Sequence, residues 1–188
     1  MQKYFHSVML EKENCKGCTN CIKHCPTEAI RVREGQARII EQLCIDCGEC
    51  IRRCPNHAKL AITDTLDRLN DYKYTIALPA PSFYAQFGPG VMPHHVLGVL
   101  LELGFDDFYE VAVGAEAVSA YLRRYLDQSQ QPRPLISSAC PAVVRTMQVR
   151  FPGLLENIVP IETPMEVSAR IAREEAMEKH GLKDEEIG

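Results

Sequence analysis

The sequence lacks an excess of positive charge. Its 188 residues carry 21 Lys+Arg against 25 Asp+Glu, a net charge of −4. That balance gives no support for a nucleic-acid partner. No apolar run approaches the length that spans a bilayer, although 46% of residues are hydrophobic and a real core can form. The opening MQKYFHSVMLEKEN has no signal-peptide pattern. No G-K-[ST] follows Gly88-Pro89-Gly90, which therefore reads as a turn and not a phosphate loop. Tryptophan is absent altogether.

Cysteine is not scarce. Eight of the nine form two copies of one pattern, Cys15-x2-Cys18-x2-Cys21-x3-Cys25-Pro26 and Cys44-x2-Cys47-x2-Cys50-x3-Cys54-Pro55, offset by 29 residues throughout. The spacing reads as a pair of 4Fe-4S cubane sites, and so as a protein that moves electrons. A cubane needs four convergent thiolates. One tight loop supplies three, and in two-cluster arrangements the Cys before Pro serves the other cluster. The expected sets are Cys15, Cys18, Cys21 and Cys54 for the first cluster, and Cys44, Cys47, Cys50 and Cys25 for the second. Pro26 and Pro55 turn the chain away after each crossing ligand. Zinc sites favour paired C-x2-C knuckles, and disulfides need an oxidising compartment. Reduced, ligating cysteines without a targeting segment point to the cytoplasm.

Residues 1–70 are expected to form an α+β two-cluster ferredoxin domain. Tyr4–Glu11 reads as its opening strand. Ala29–Ile40 reads as a hairpin turning at Glu34-Gly35, and each C-x3-C-P end should sit on a short helix. This part is nearly neutral, with 11 Lys+Arg against 9 Asp+Glu, which suits a relay module fused to a larger machine. Asp64–Tyr74 reads as a polar linker. Residues 75–188 then alternate strand and helix, as an α/β domain does. The expected strands are Tyr74–Pro79, Phe108–Val113 and Leu135-Ile136. The expected helices are Pro93–Leu103 (ended by Gly104), Ala115–Leu126, Ala142–Arg150 and about Pro164–Gly181.

The ninth cysteine, Cys140, stands where a strand ends and a helix begins, with Pro141 suited to the first helical position. A helix N-terminus favours thiolate and hence metal ligation, while a structural Cys is common. Position alone leaves both open. His94-His95 suits a polar surface at a helix start better than a metal site. His24 and His57 lie among the cluster cysteines and face solvent or tune the cluster surroundings.

Leu135–Val143 (LISSACPAV) resembles the first active-cluster motif of the iron-only (diiron) hydrogenases. Ile76–Ser82 (IALPAPS), Leu103–Asp106 (LGFD), Phe151-Pro152 and Thr163-Pro164 resemble further elements of that family, in the same order. The resemblance covers about residues 75–188, with the cluster domain ahead of it as in that family. It implies that Cys140 is one ligand of the active cluster, and that Ala80, Pro81 and Ser82 line its diiron half. Three more thiolates are then required. They would come from a longer protein, in which alone the diiron H-cluster is expected, or from another chain. Ala139 stands where active members carry a proton-relaying Cys. Tyr121-Leu122 fall where the family has two glutamates, and Val159 where it has a relaying serine. No Trp follows Cys140; Val143 stands there. Apolar side chains cannot pass protons. The resemblance thus points to the sensory branch: a hydrogenase-like oxidoreductase of low activity if full-length, or a non-catalytic electron-transfer scaffold. A redox partner protein or downstream domain is implied, and neither nucleic acid nor a membrane span.

Overall fold

The computed structural model describes residues 6–188. Tyr4 and Phe5 of the expected opening strand lie outside them. In chain order the elements are β1 (Val8–Leu10), α1 (Asn20–Lys23), β2 (Ile30–Arg33), β3 (Gln36–Ile39), α2 (Glu49–Arg52), β4 (Lys59–Ala61), β5 (Ile76–Ala77), α3 (Pro81–Tyr84), α4 (Pro93–Glu102), β6 (Asp107–Phe108), α5 (Val111–Gln128), α6 (Pro141–Arg150) and α7 (Pro164–His180). Helix and strand are mixed in two compact units. One holds the chain up to Thr63 together with Pro132–Val159, and the other holds Asp64–Gln131 with Pro160–Gly188.

The first unit is built twice over. Short 3-10 turns at Lys12–Asn14 and Glu41–Leu43 precede the two cysteine loops. In each copy a left-handed residue stands before a four-residue helix, Thr19 at φ 65° and Gly48 at φ 71°. The other left-handed positions also repeat at the 29-residue offset: Gly17 with Asp46, and Glu28 with His57. Such φ values are rare outside glycine, so their recurrence marks a loop shape imposed twice. At Gly17 the need is also steric, because a Cβ would lie 2.6 Å from the Gly35 carbonyl oxygen. β2 and β3 pair as the expected antiparallel hairpin, with Ile30 opposite Ile39. β1 pairs antiparallel with β4, placing Leu10 opposite Lys59. Cys21, Ile30 and Ala37 form the buried core, with Cys15, Cys25 and Cys50 packed around it.

The expected third strand at Leu135-Ile136 is reduced to one bridge between Ile136 and Ile158. Asn157 holds this region by donating from Nδ2 to the carbonyls of Pro132 and Pro134, each at 2.9 Å.

In the second unit β5 runs parallel to β6. Asp106 fixes their start: its carboxylate accepts from the Thr75 amide and hydroxyl at 2.8 and 2.9 Å. The expected strand Phe108–Val113 ends early, because Val111 already opens α5. The Val111 amide donates to the Pro79 carbonyl, so the chain leaves the sheet there. The expected linker contains a 3-10 helix at Leu66–Asp71. α7 begins with a capping box, in which the Thr163 hydroxyl accepts from the Glu166 amide, and it ends at left-handed Gly181. α5 packs against α7.

Candidate metal centre

The doubled loop brings the motif cysteines into two cavities. One is lined by Cys15, Cys18, Cys21 and Cys54 among others. The other is lined by Cys25, Cys44, Cys47 and Cys50 among others. Each cavity therefore takes three cysteines from one motif and the Cys-Pro cysteine from the other. All nine cysteines of the chain are free.

The local elements explain the placement. Cys15 and Cys44 close the two 3-10 turns, and Cys21 and Cys50 lie on α1 and α2. Cys25 and Cys54 follow those helices, where the turn aims backbone donors at their sulfurs. The Ala29 amide donates to Cys25 Sγ and the Ala58 amide to Cys54 Sγ, both at 3.2 Å. The Ala37 amide donates to Cys15 Sγ at 3.4 Å. Such donors stabilise thiolate and any anionic group bound to it.

Burial raises the Cys44 and Cys50 thiols, each to about 11. At Cys44, Asp46 adds both its charge and a hydrogen bond to the upward push. At Cys50 the positive charge of Lys59 opposes burial. Burial also raises Cys21, again against Lys59. At Cys15 burial pushes upward too, but the Ala37 and Gly17 amides and the charges of Lys59 and Lys16 outweigh it, so its pKa is lowered.

Four soft sulfur donors per cavity, amides aimed at the sulfurs and enclosing walls fit an iron–sulfur cluster and not a hard oxygen-seeking cation. One further group fits the same chemistry. Lys59 is 2% exposed, its Nζ has no hydrogen-bond partner among the described residues, and it lines the first cavity. Reading the sequence for cysteines missed this residue. The 29-residue repeat carries the signal, since Lys59 stands where the first copy has Ile30.

The remaining predicted residues are placed as follows. Cys140 is exposed and precedes α6, its carbonyl accepting from the Val143 and Val144 amides at 3.0 and 3.1 Å. Ala139 is exposed beside it. Ala80 caps α3 and Pro81 is its first residue. Ala80 and Ser82 line a third, open cavity of about 580 Å³ with Ile76, Phe83, Leu100 and Phe105; Pro81 is not part of that lining. Tyr121 is exposed, Leu122 is half-buried, and Val159 is 3% exposed. His24 and His57 face solvent, as do His94 and His95 at the start of α4. Among the described residues no helix is long and apolar enough to cross a membrane.

Comparison with known proteins gives concordant matches. The family model described as 4Fe-4S dicluster domain matches residues 7–55. That described as Iron only hydrogenase large subunit, C-terminal domain, matches residues 73–187. The periplasmic Fe hydrogenase large subunit of Nitratidesulfovibrio vulgaris is 29% identical over 187 aligned residues, covering 89% of this chain and 44% of that protein. Iron hydrogenase 1 of Clostridium pasteurianum is 28% identical over 107 residues, covering 50% of this chain and 18% of that protein. This chain thus spans less than half the length of these two relatives. Among solved structures, an FeFe-hydrogenase from Chlamydomonas reinhardtii superposes with a TM-score of 0.52 at 23% identity, over 65% of this chain and 34% of that one. A structure describing oxygen inactivation of an FeFe-hydrogenase superposes with the same TM-score at 21% identity, over 65% and 36%. At those identities the likeness is one of fold. With 115 consecutive residues matched, behind a dicluster segment whose cysteines line two sulfur-walled cavities, the chain belongs to the iron-only hydrogenase large-subunit family.

Proposed function

We propose that the chain is an iron–sulfur electron-transfer protein with two 4Fe-4S clusters, placed before a hydrogenase-like region of low-activity or sensory type. Residues 1–70 act as the cluster domain and 75–188 as the beginning of the hydrogenase domain. The observation that carries this reading is the lining of the two cavities, each by three cysteines of one motif and the fourth of the other. It supports ligation by Cys15, Cys18, Cys21 and Cys54 at one site, and by Cys44, Cys47, Cys50 and Cys25 at its twin.

When bound, each cluster supplies a one-electron couple. The chain holds it by four thiolates, and the Ala29 and Ala58 amides steady the crossing sulfurs. Burial of Cys21 and Cys44 keeps water from the inner side, while exposed Cys18 and Cys47 mark the outer edges, where electrons enter and leave. Cys21, Cys25 and Cys50 share one packed cluster of side chains, which favours transfer between the sites. The partner is a redox protein or a further domain.

Cys140 is the proposed protein ligand for an active cluster, with Ala80, Pro81 and Ser82 facing its diiron half. This assignment rests on the family match. A second reading, an electron-transfer scaffold without hydrogen chemistry, is favoured by the residues at the positions that the family resemblance compares. Ala139, Tyr121, Leu122 and buried Val159 offer no carboxyl or thiol relay. The proposed compartment is the cytoplasm, on the reduced cysteines, although the Nitratidesulfovibrio relative is named as periplasmic.

Anaerobic iron and sulfide analysis with EPR of the reduced protein tests the central reading. Eight iron and eight sulfide per chain are expected. Zinc as the native metal overturns it. Hydrogen turnover by the full-length gene product separates the two functional readings.

A further inference from the structure

The 29-residue repeat makes the two cavities near-copies, so their differences are informative. Ile30 and Lys59 are equivalent positions. Each begins a strand, β2 and β4, five residues after a Cys-Pro cysteine. Each is 2% exposed, and each lines its own cavity: Ile30 that of Cys44, Lys59 that of Cys15. An apolar side chain fills the position in one copy and an ammonium fills it in the other.

Burying an ammonium without a partner is costly. Lysine usually escapes that cost by sending its head group to water. Lys59 does not: its Nζ is buried and makes no hydrogen bond with any described residue. No Asp or Glu lines its cavity. The cavity wall holds Cys15, Cys18, Cys21 and Cys54, together with the neutral polar side chains of Thr19, Asn20 and Asn56. Lys16 lines the same cavity and adds a second positive charge. The twin cavity has the opposite balance, with Asp46 and Glu49 in its wall and no Lys or Arg. Glu49 is paired with Arg52 and Arg53, which leaves Asp46, bonded to the Ser7 amide and near Cys44 Sγ, as the less compensated charge. After burial, Lys59 is the largest influence on Cys21, and also on Cys50 of the second set, while at Cys15 it ranks below the Ala37 and Gly17 amides.

We propose that Lys59 sets the two cluster sites apart, its buried ammonium acting as a fixed cationic partner of the cluster at Cys15, Cys18, Cys21 and Cys54, and making that cluster the more easily reduced. The inference rests on the two-cluster reading given above. Reduction adds one electron from a one-electron reductant, breaks no bond, and makes the cluster more negative by one charge. A cation held in a medium of low dielectric stabilises that added charge, whereas Asp46 at the other site opposes it. Electrons arriving from a partner therefore settle at the Lys59 site. Lys59 is a positioning and tuning residue, not a ligand.

The test is a redox titration with dithionite, followed by EPR, on the full chain after anaerobic cluster assembly. Wild type should show two one-electron waves. The variant Cys47→Ala, which removes a ligand from the second site, should lose or distort the lower wave. In Lys59→Met, which keeps length and burial but removes charge, the upper wave should fall. At a fixed potential the reduced-to-oxidised ratio should drop at least tenfold, about 59 mV for one electron. The lower wave should move less. Lys59→Gln, polar but neutral, should shift in the same direction, and exposed Lys16→Met much less. If both Lys59 variants fail to assemble clusters, Ile30→Lys decides: an ammonium in the second cavity should raise the lower wave, and an unmoved wave overturns the proposal. Eight iron per chain with both waves unmoved in Lys59→Met also overturns it, while leaving the two-cluster reading intact. Fewer than eight iron in wild type defeats that reading itself, and this inference with it.

Discussion

Gly114 on α5 and Ser168 on α7 meet without room for a methyl group: a Cβ at Gly114 would lie 2.2 Å from Ser168 Oγ and 2.8 Å from the Pro164 carbonyl oxygen. The two helices approach this closely because both contact residues are small. Ser168 is fully buried and its hydroxyl has no hydrogen-bond partner among the described residues.

Gly114→Ala should therefore destabilise the second unit by about 1–3 kcal/mol, the usual cost of overpacking, despite the better helix propensity of alanine. Ser168→Ala alone should be neutral or slightly stabilising, since it removes an unsatisfied buried hydroxyl. The double variant should recover part of the loss and not all of it, because the Pro164 carbonyl stays in place. Thermal unfolding of the three variants checks this. A Gly114→Ala protein as stable as wild type would mean that α5 and α7 are not in this contact.

The crossed ligation proposed above makes Cys54→Ser its test at a distance in sequence. The cluster damaged should be the one held by Cys15, Cys18 and Cys21. EPR of the reduced variant should show loss or conversion of that signal, with the Cys44, Cys47 and Cys50 signal retained. Damage confined to the latter site rejects the crossing.

The metal-free protein should respond to pH through Cys44 and Cys50. Both thiols are raised by burial, from 9.0 to about 11, so the folded state binds their protons more tightly than the unfolded chain does. A raised folded-state pKa contributes stability that is present below pH 9 and is lost as pH climbs through about 11. Urea unfolding of the apo-protein at pH 8 and at pH 10.5 should show lower stability at the higher pH. Cluster assembly must strip the same protons, so its apparent affinity should rise with pH and proton release should accompany iron uptake. No change in either quantity would show that these thiols titrate normally.

For the full-length protein, Cys140→Ser should impair assembly of the active cluster, because a hydroxyl is a poorer iron ligand than a thiolate. Ala139→Cys should raise hydrogen turnover, within the roughly 10²–10⁴-fold range of acid–base relays and toward its lower end. The gain stays limited because Tyr121, Leu122 and Val159 also stand where the family resemblance expects relay groups. Infrared bands of iron-bound CO and cyanide, together with a hydrogen assay, check both variants. A Cys140→Ser protein with a complete active cluster would leave Cys140 as a surface residue only.

The cysteine pattern was legible because three ligands come from one tight loop, and chain geometry alone then fixes their spacing. The hairpin at Glu34-Gly35, α4, α6 and α7 were legible for a similar reason. Turn chemistry at Glu34-Gly35, the glycine after α4 and proline at the first position of α6 are local signals. The strand expected at Phe108–Val113 was misread because apolar residues there suit either a buried strand or a helix start. A hydrogen bond from the Val111 amide to the Pro79 carbonyl, 32 residues earlier in the chain, makes the choice. The grouping of Pro132–Val159 with the chain up to Thr63 is equally non-local.

By itself, then, the sequence determined the chemistry: eight thiols at fixed intervals, and a family likeness spread over short motifs. The tertiary structure decided which thiols share a cavity, because the fourth cysteine of each set arrives from the other repeat. It also decided what Lys59 is. In the sequence it is one lysine among surface lysines. In the fold the pairing of β4 with β1 buries it as fully as Ile30, in the wall of the cavity that Cys15, Cys18, Cys21 and Cys54 line.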